Sequence, residues 1–335
     1  MSRTRLALLA IGLALSAAAV AVLVRSIDLG EALAVLRTAS PVWVLAGCAV
    51  TTLGYFFRAL RWREVLSRRD VTVGHLFSAT MVGFLAINLV PARLGEFVRA
   101  YALARSERIP AALVLGSVAV ERVLDLVALG IFWALSLLFA PLPEWFRMSG
   151  YLTIGLAVVV WVVLRRLLRA GERGFSAKGA LFAWMPERAR VALTSAMPAF
   201  GAGLQTFGDR ALLARAACWS VLIWMAGGAI FLLVGESMGM RLPLWSGFLL
   251  PFIISMGILI PSSPGFIGVL EGACVIGLKL LGFEGPQALA FGILYHLVQL
   301  VPVLVLGGYF AVREHLLPLV TGSGAEDRGG EERKD

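Results

Sequence analysis

Charge is scarce in this chain. Only 15% of its 335 residues are Asp, Glu, Lys or Arg, against 59% that are hydrophobic. That balance is too poor in charge to solvate a soluble domain of this size. Histidine and cysteine are scarcer still. His75, His296 and His315 lie far apart and lack metal-ligand spacing. Cys48, Cys218 and Cys274 are scattered through apolar runs and form neither a CxxC nor a disulfide framework. There is no Gly-rich phosphate loop and no GxSxG elbow. These absences leave no motif for a metal, a cofactor or a nucleotide, and no nucleophile–base set. Read from residues alone, the protein is not an enzyme and uses no cofactor.

Apolar sequence is abundant, in runs of about 20 residues, long enough to cross a bilayer as helices. Mean hydropathy is +0.86. The residual charge is basic, formally +9. Nucleic acid is not the implied partner, because arginines gather in cytoplasmic loops of membrane proteins and face anionic headgroups there. Arg3 and Arg5 precede the apolar run 6–24 and imitate a secretory signal, but the run is long enough to read as a retained first helix.

The apolar runs predict full spans over 6–24, 41–60, 111–140, 151–168, 211–234 and 287–312. A short interfacial helix fits 27–39, and an amphipathic helix on the inner leaflet fits part of 170–210. Two further apolar stretches are interrupted. One holds Asn88-Leu-Val-Pro-Ala-Arg-Leu-Gly-Glu96 and the other Pro261-Ser-Ser-Pro-Gly-Phe-Ile-Gly268. Proline removes a helical donor and clashes with the preceding turn. In lipid such a break survives only where protein or a water-filled cavity surrounds it. Basic residues flank both ends of 73–103, so that stretch reads as a hairpin re-entering from the cytoplasm. The stretch 242–281 has few bases and reads as a hairpin entering from outside. Arg25, Arg37, Arg147 and Arg241 then lie outside, and the other basic residues crowd the inner side.

The expected fold is an all-α polytopic membrane protein with about six full spans and two oppositely oriented re-entrant helical hairpins. Residues 1–320 form one domain, an inverted pseudo-repeat of about 6–140 and 151–312, and 321–335 form a disordered cytoplasmic tail. Matching breaks in two halves point to a transport site at the midplane.

Several charges fall inside the apolar stretches, where each costs about 2.5–3.5 kcal/mol to insert. Arg93, Glu96 and Arg99 share a helical face beside the first break. Glu121, Arg122 and Asp125 sit inside the third span, and Glu271 and Lys279 inside the second hairpin. The eight balance in sign. The hairpin arginines can lean on the carboxylates of the third span, and a lipid phosphate can compete for an arginine fork. A static polar clamp explains the Glu121–Asp125 group equally well. Arg99 has snorkelling to the inner headgroups as an alternative, and so has Lys279 on the outer side. Glu271 has no local base, and as a desolvated carboxylate it is a candidate carrier of a coupling proton. Ser262 and Ser263 offer hydroxyls at the second tip, to substrate or to broken backbone. Asn88 is a ligand or a helix cap. The run from Arg58 to Arg69, with Trp62 at headgroup level, reads mainly as a topology anchor.

Four motifs in order, Phe57-Arg-Ala-Leu-Arg-Trp62, Asn88-x-x-Pro-x-Arg-x-Gly-Glu96 with Arg99, Glu121-Arg122-x-x-Asp125, and Pro261-x-x-Pro-Gly265 with Gly268 and Glu271, resemble the lysylphosphatidylglycerol synthase transmembrane family, also called flippase-like or UPF0104. The resemblance runs from about residue 6 to 313. In bifunctional members this region moves an aminoacylated phospholipid between leaflets and a separate soluble domain makes it; other members are associated with hopanoid, glycolipid or polysaccharide pathways. The resemblance therefore implies translocation without synthesis. Its motifs carry over to Arg58, Arg61, Asn88, Arg93, Glu96, Arg99, Glu121, Arg122, Asp125, Pro264, Gly265 and Glu271.

The expected function is a flippase or transporter for a phosphate-bearing or otherwise polar-headgroup lipid, in the bacterial inner membrane with both termini cytoplasmic. A membrane enzyme acting on lipid headgroups and a non-transporting scaffold are the competitors. Expected partners are membrane lipids, a second copy of the chain, and enzymes of an envelope pathway.

Overall fold

A computed structural model gives the fold and describes residues 16–25, 27–66, 68, 70–89, 95–139, 142–172, 186–205, 208–260, 262–283 and 285–316. Every regular element among them is helical. In chain order these are α1 (Ser16–Arg25), α2 (Leu29–Arg37), α3 (Pro41–Leu66), α4 (Val73–Leu89), α5 (Gly95–Glu107) and α6 (Ala111–Leu137). Then follow α7 (Glu144–Glu172), α8 (Glu187–Gly203), α9 (Arg210–Ser237), α10 (Ser246–Gly257), α11 (Val269–Lys279) and α12 (Gly285–Arg313). The chain is a multi-pass membrane protein. By length and composition α3, α9, α12 and residues Glu144–Arg166 of α7 can cross a bilayer. At 27 residues α6 is also long enough, but it carries three ionisable groups near its middle. Of the expected first span only α1 lies within the described residues, and the expected tail, 321–335, lies outside them.

Local chemistry sets the ends. The Asp28 carboxylate accepts the Glu31 N–H at the start of α2. Asp209 accepts the Ala211 and Leu212 N–H groups at the start of α9. Pro302 withholds a donor inside α12, and the turn that follows, Val303–Gly307, is π-helical. The interrupted stretches become two pairs of short helices, α4 with α5 and α10 with α11. At 1.5 Å per residue the 12 residues of α10 span about 18 Å, short of the roughly 30 Å hydrocarbon thickness.

The twelve helices of the described residues divide into two sets of six, α1–α6 and α7–α12. α2 lies on α12, and α8 on α6. α4 lies on α12, and α10 on α6; α3 meets α12, and α9 meets α6. Helices α3 and α9 form the most extensive helix interface of the molecule. The contacts of α2, α3 and α4 with α12 thus reciprocate those of α8, α9 and α10 with α6.

Glycines let the pairs approach. A Cβ on Gly95 would stand 2.4 Å from the Gly83 carbonyl oxygen, between α4 and α5. Between α10 and α11, a Cβ on Gly257 would meet the Ala273 Cβ at 2.7 Å. The turn Pro264–Phe266 joins the second pair through Gly265, at φ +74, a left-handed conformation suited to glycine. A Cβ on Gly265 would lie 3.7 Å from the Asn88 carbonyl, so the turn meets the end of α4.

The amphipathic helix expected to rest on the inner leaflet is α8, and it packs on α6. A Cβ on Gly116 would meet the Phe200 carbonyl oxygen at 2.3 Å, and one on Gly203 the Leu113 oxygen at 2.1 Å. Gly116→Val should therefore pry α8 from α6 and cost about 1–3 kcal/mol. Melting in detergent measures this, and an unchanged transition would mean that α8 sits loosely.

Candidate functional site

Helices α3, α5 and α6 bring seven ionised side chains to one place. Arg58 and Arg61 come from α3, Glu96 and Arg99 from α5, and Glu121, Arg122 and Asp125 from α6. Arg61 is fully buried. Its Nε donates to Glu121 Oε1 at 3.3 Å, and its Nη1 to Asp125 Oδ1 at 2.7 Å and to the Ser220 hydroxyl at 3.1 Å. Arg99, 2% exposed, pairs with Glu121 Oε2 at 2.6 Å and lies 3.7 Å above the Trp62 ring. The Trp62 indole N–H donates to the Ser117 hydroxyl at 2.9 Å. A desolvated guanidinium on tryptophan is worth about 2 kcal/mol. Two arginines thus hold the two oxygens of Glu121.

The other two arginines stand on the open side. Arg122 reaches Glu96 Oε1 at 3.5 Å and Asp125 Oδ2 at 3.2 Å. Arg58 approaches Asp125 Oδ2 at 3.6 Å. The four arginines exceed the three carboxylates by one charge. They also exceed them in donors: Arg61 Nη2, Arg99 Nε and Arg122 Nε are enclosed without an acceptor among the described residues. Enclosed donors demand an acceptor.

A cavity of about 450 Å³ adjoins this side. Tyr55, Phe84 and Asn88 wall it from the first half, Ile254, Phe266 and Leu270 from the second, and Glu96, Arg122 and His296 line it together with the phenols of Tyr55 and Tyr295. A smaller space of about 230 Å³ shares the Tyr55, Phe84 and Tyr295 walls and includes Arg58. Across the cavity Glu271 meets His296 Nδ1 at 2.6 Å through Oε1, and its Oε2 accepts the Gly268 N–H at 2.6 Å.

Residues 9–307 match the family described as the lysylphosphatidylglycerol synthase TM region. The chain belongs to that family. Among curated relatives of this family member, the glycosyltransferase AglD of Haloferax volcanii is 26% identical over 91% of this chain and 54% of that protein. The chain therefore spans about half of that relative's length. A UPF0104 membrane protein of Methanothermobacter thermautotrophicus is 23% identical over 89% of this chain and 93% of its own length. Another, from Methanocaldococcus jannaschii, is 26% identical over 69% of this chain and 95% of itself. These names correct one expectation. The absence of catalytic motifs points away from an enzyme, but a glycosyltransferase among the relatives and a synthase in the family's description point toward enzymatic chemistry.

The structure gathers most of the family's motif residues but distributes them differently from the sequence expectation. Arg58 and Arg61, read mainly as a flanking anchor, lie inside the network, because α3 continues to Leu66. Trp62, expected at headgroup level, is fully buried. Arg99 does not snorkel; it is locked between Glu121 and Trp62. Lys279 is exposed at the end of α11, and Glu271 pairs with His296, so neither joins the expected balance of eight. Arg93 lies outside the described residues. Asn88 donates its side-chain amide to the Phe84 carbonyl at 2.8 Å and lines the cavity. The Ser263 hydroxyl accepts from Ser16 at 2.8 Å, and its N–H donates to the Ser16 oxygen, which ties the second tip to α1. Ser262 keeps an enclosed hydroxyl without a partner among the described residues. Pro264 and Gly265 shape the turn, while Phe266 supplies the cavity wall. Tyr55, Ser117, Ser220 and His296 carry no sequence signal of their own.

Proposed function

We propose that this chain is a lipid flippase that binds the phosphate of a polar-headgroup lipid at Arg58 and Arg122 and passes it through the cavity between the two helix pairs. The observation that carries the reading is the surplus of arginine over carboxylate beside a cavity that both halves enclose. An arginine fork fits two phosphate oxygens, and an anion beside Arg122 would supply an acceptor for its enclosed Nε. The helix pairs then act as re-entrant hairpins from opposite faces of a bacterial inner membrane, with the basic loops and termini inside; their short helices support this. An apolar groove of about 500 Å³ between α6 and α7 begins at Val123, next to Arg122, and offers an acyl chain a place outside the protein core.

The glycosyltransferase relative favours a second reading, in which the same arginines hold a lipid headgroup for group transfer. One experiment separates the two. Proteoliposomes carrying a headgroup-labelled phosphatidylglycerol are quenched from outside, and the lipids are then analysed. Faster exchange of intact label than in protein-free vesicles supports the flippase. Altered headgroups without exchange support the enzyme, and neither outcome defeats both.

A further inference from the structure

The Glu96–Arg122 pair has a counterpart in the second half, with histidine in the place of arginine. Glu96 stands in the first turn of α5 and meets Arg122, the twelfth residue of α6. Glu271 stands in the first turn of α11 and meets His296, the twelfth residue of α12. In the two sets of six helices, α5 and α6 hold the places that α11 and α12 hold. Arginine stays charged at any physiological pH, whereas histidine, with an ordinary pKa near 6.5, is charged only when it holds a second proton.

We infer that Glu271 and His296 form a proton-binding site, and that a proton enters it together with the anionic lipid bound at Arg122. The inference rests on the lipid reading above and names its coupling ion. Gly292 lies one turn before His296, and a Cβ there would stand 3.1 Å from the Glu271 Cα. That close approach of α12 to α11 lets the imidazole reach the carboxylate. Glu271 is fixed from its other oxygen by Gly268. With Nδ1 on Glu271, the neutral ring donates there and leaves Nε2 as the base; Nε2 has no protein partner among the described residues. The incoming proton adds to Nε2. No bond other than N–H forms or breaks.

Charge makes the two events one. The arginine network exceeds its carboxylates Glu96, Glu121 and Asp125 by one charge, and Glu271 across the cavity offsets that surplus while His296 is neutral. A phosphodiester adds one negative charge and a proton on His296 cancels it. Leaving either uncompensated in a desolvated site costs several kcal/mol, so each favours the other by the same amount. The other titratable groups near the pair are Cys274 on α11, Tyr295 on α12 and Tyr55 on α3; α4 and α10 bring Asn88 and apolar side chains.

The chain has only three histidines, so its imidazole NMR signals are assignable by replacing His75 or His315. In the detergent-solubilised full chain, His296 should titrate in one step, and short-chain phosphatidylglycerol should raise its midpoint by about one unit, a tenfold gain in proton affinity. Arg122→Gln should keep the titration and lose the lipid-induced rise. The phosphorus signal of the lipid reads binding separately. Binding without a rise, or no titration between about pH 4 and 9, overturns the proton site and leaves the lipid reading standing. No binding at all overturns both.

Discussion

Replacing Glu121 with alanine should cost this protein about 3–5 kcal/mol of stability, the range found when one partner of a buried ion pair is removed. Glu121 is fully buried and touches two arginines, Arg61 at 3.3 Å and Arg99 at 2.6 Å. Without it Arg61 still has Asp125, but Arg99 keeps only Glu96 at 3.8 Å. The described network would then hold four arginines against two carboxylates. Glu121→Gln keeps the volume and should lose nearly as much, because charge rather than shape is removed. Replacing Glu121 and Arg99 together with leucine should recover much of the loss, since a buried pair exchanged for apolar side chains is often neutral or stabilising. Unfolding of the detergent-solubilised single and double variants gives the coupling energy. Additive losses would show that the two side chains do not share a bond worth naming.

Replacing Arg122 with glutamine should do the opposite: little to the fold and much to the function. Its side chain is 41% exposed and lines the cavity, and its partners Glu96 and Asp125 are shared with Arg99, Arg58 and Arg61. Ion pairs of that kind contribute about 0–1 kcal/mol, so the unfolding transition should barely move. A charge-assisted contact to a phosphate is worth about 1.5–3 kcal/mol, so headgroup exchange should fall about 10- to 150-fold. Arg122→Lys keeps the charge but loses the two-toothed grip, and should fall between the two. Initial rates of label exchange in proteoliposomes, with protein reconstituted to equal density, measure the effect. Exchange at the parental rate in the glutamine variant would remove the phosphate from Arg122.

These two residues show what a sequence can and cannot reveal. Their charge was plain, because three ionisable groups inside an apolar run of helical length have to be paired or used. The proline–glycine breaks were equally plain, and each became a pair of short helices. Which arginine meets which carboxylate was hidden. Helix α3 is apolar on every side, so no periodic stripe shows that Arg61 faces inward. Its run of arginines looks like an ordinary end to a span, yet the helix continues to Leu66 and carries Arg61 and Trp62 into the core. His296 was hidden for another reason. Its partner Glu271 is 25 residues away on a different helix, and a lone histidine in an apolar helix gives no sign of what it faces. The lone carboxylate was the available clue, since a buried Glu271 needs a cation or a proton from somewhere.

The division of labour between the halves bears on how the chain is made. Every ion of the Arg61–Glu121 network belongs to the first six helices, and Glu271 and His296 both belong to the last six. Each half therefore emerges from the ribosome with the partners of its own ion pairs, and only the one-charge surplus of the arginine network is left to be offset by Glu271 of the second half. Packing is arranged the other way. Helix α4 rests on α12 near Gly307, where a Cβ would stand 2.8 Å from the Met81 carbonyl. The α4–α5 pair thus lacks its wall until α12 has been synthesised. Newborn first halves hold their own ion pairs but are only half assembled, and α12 locks both halves together.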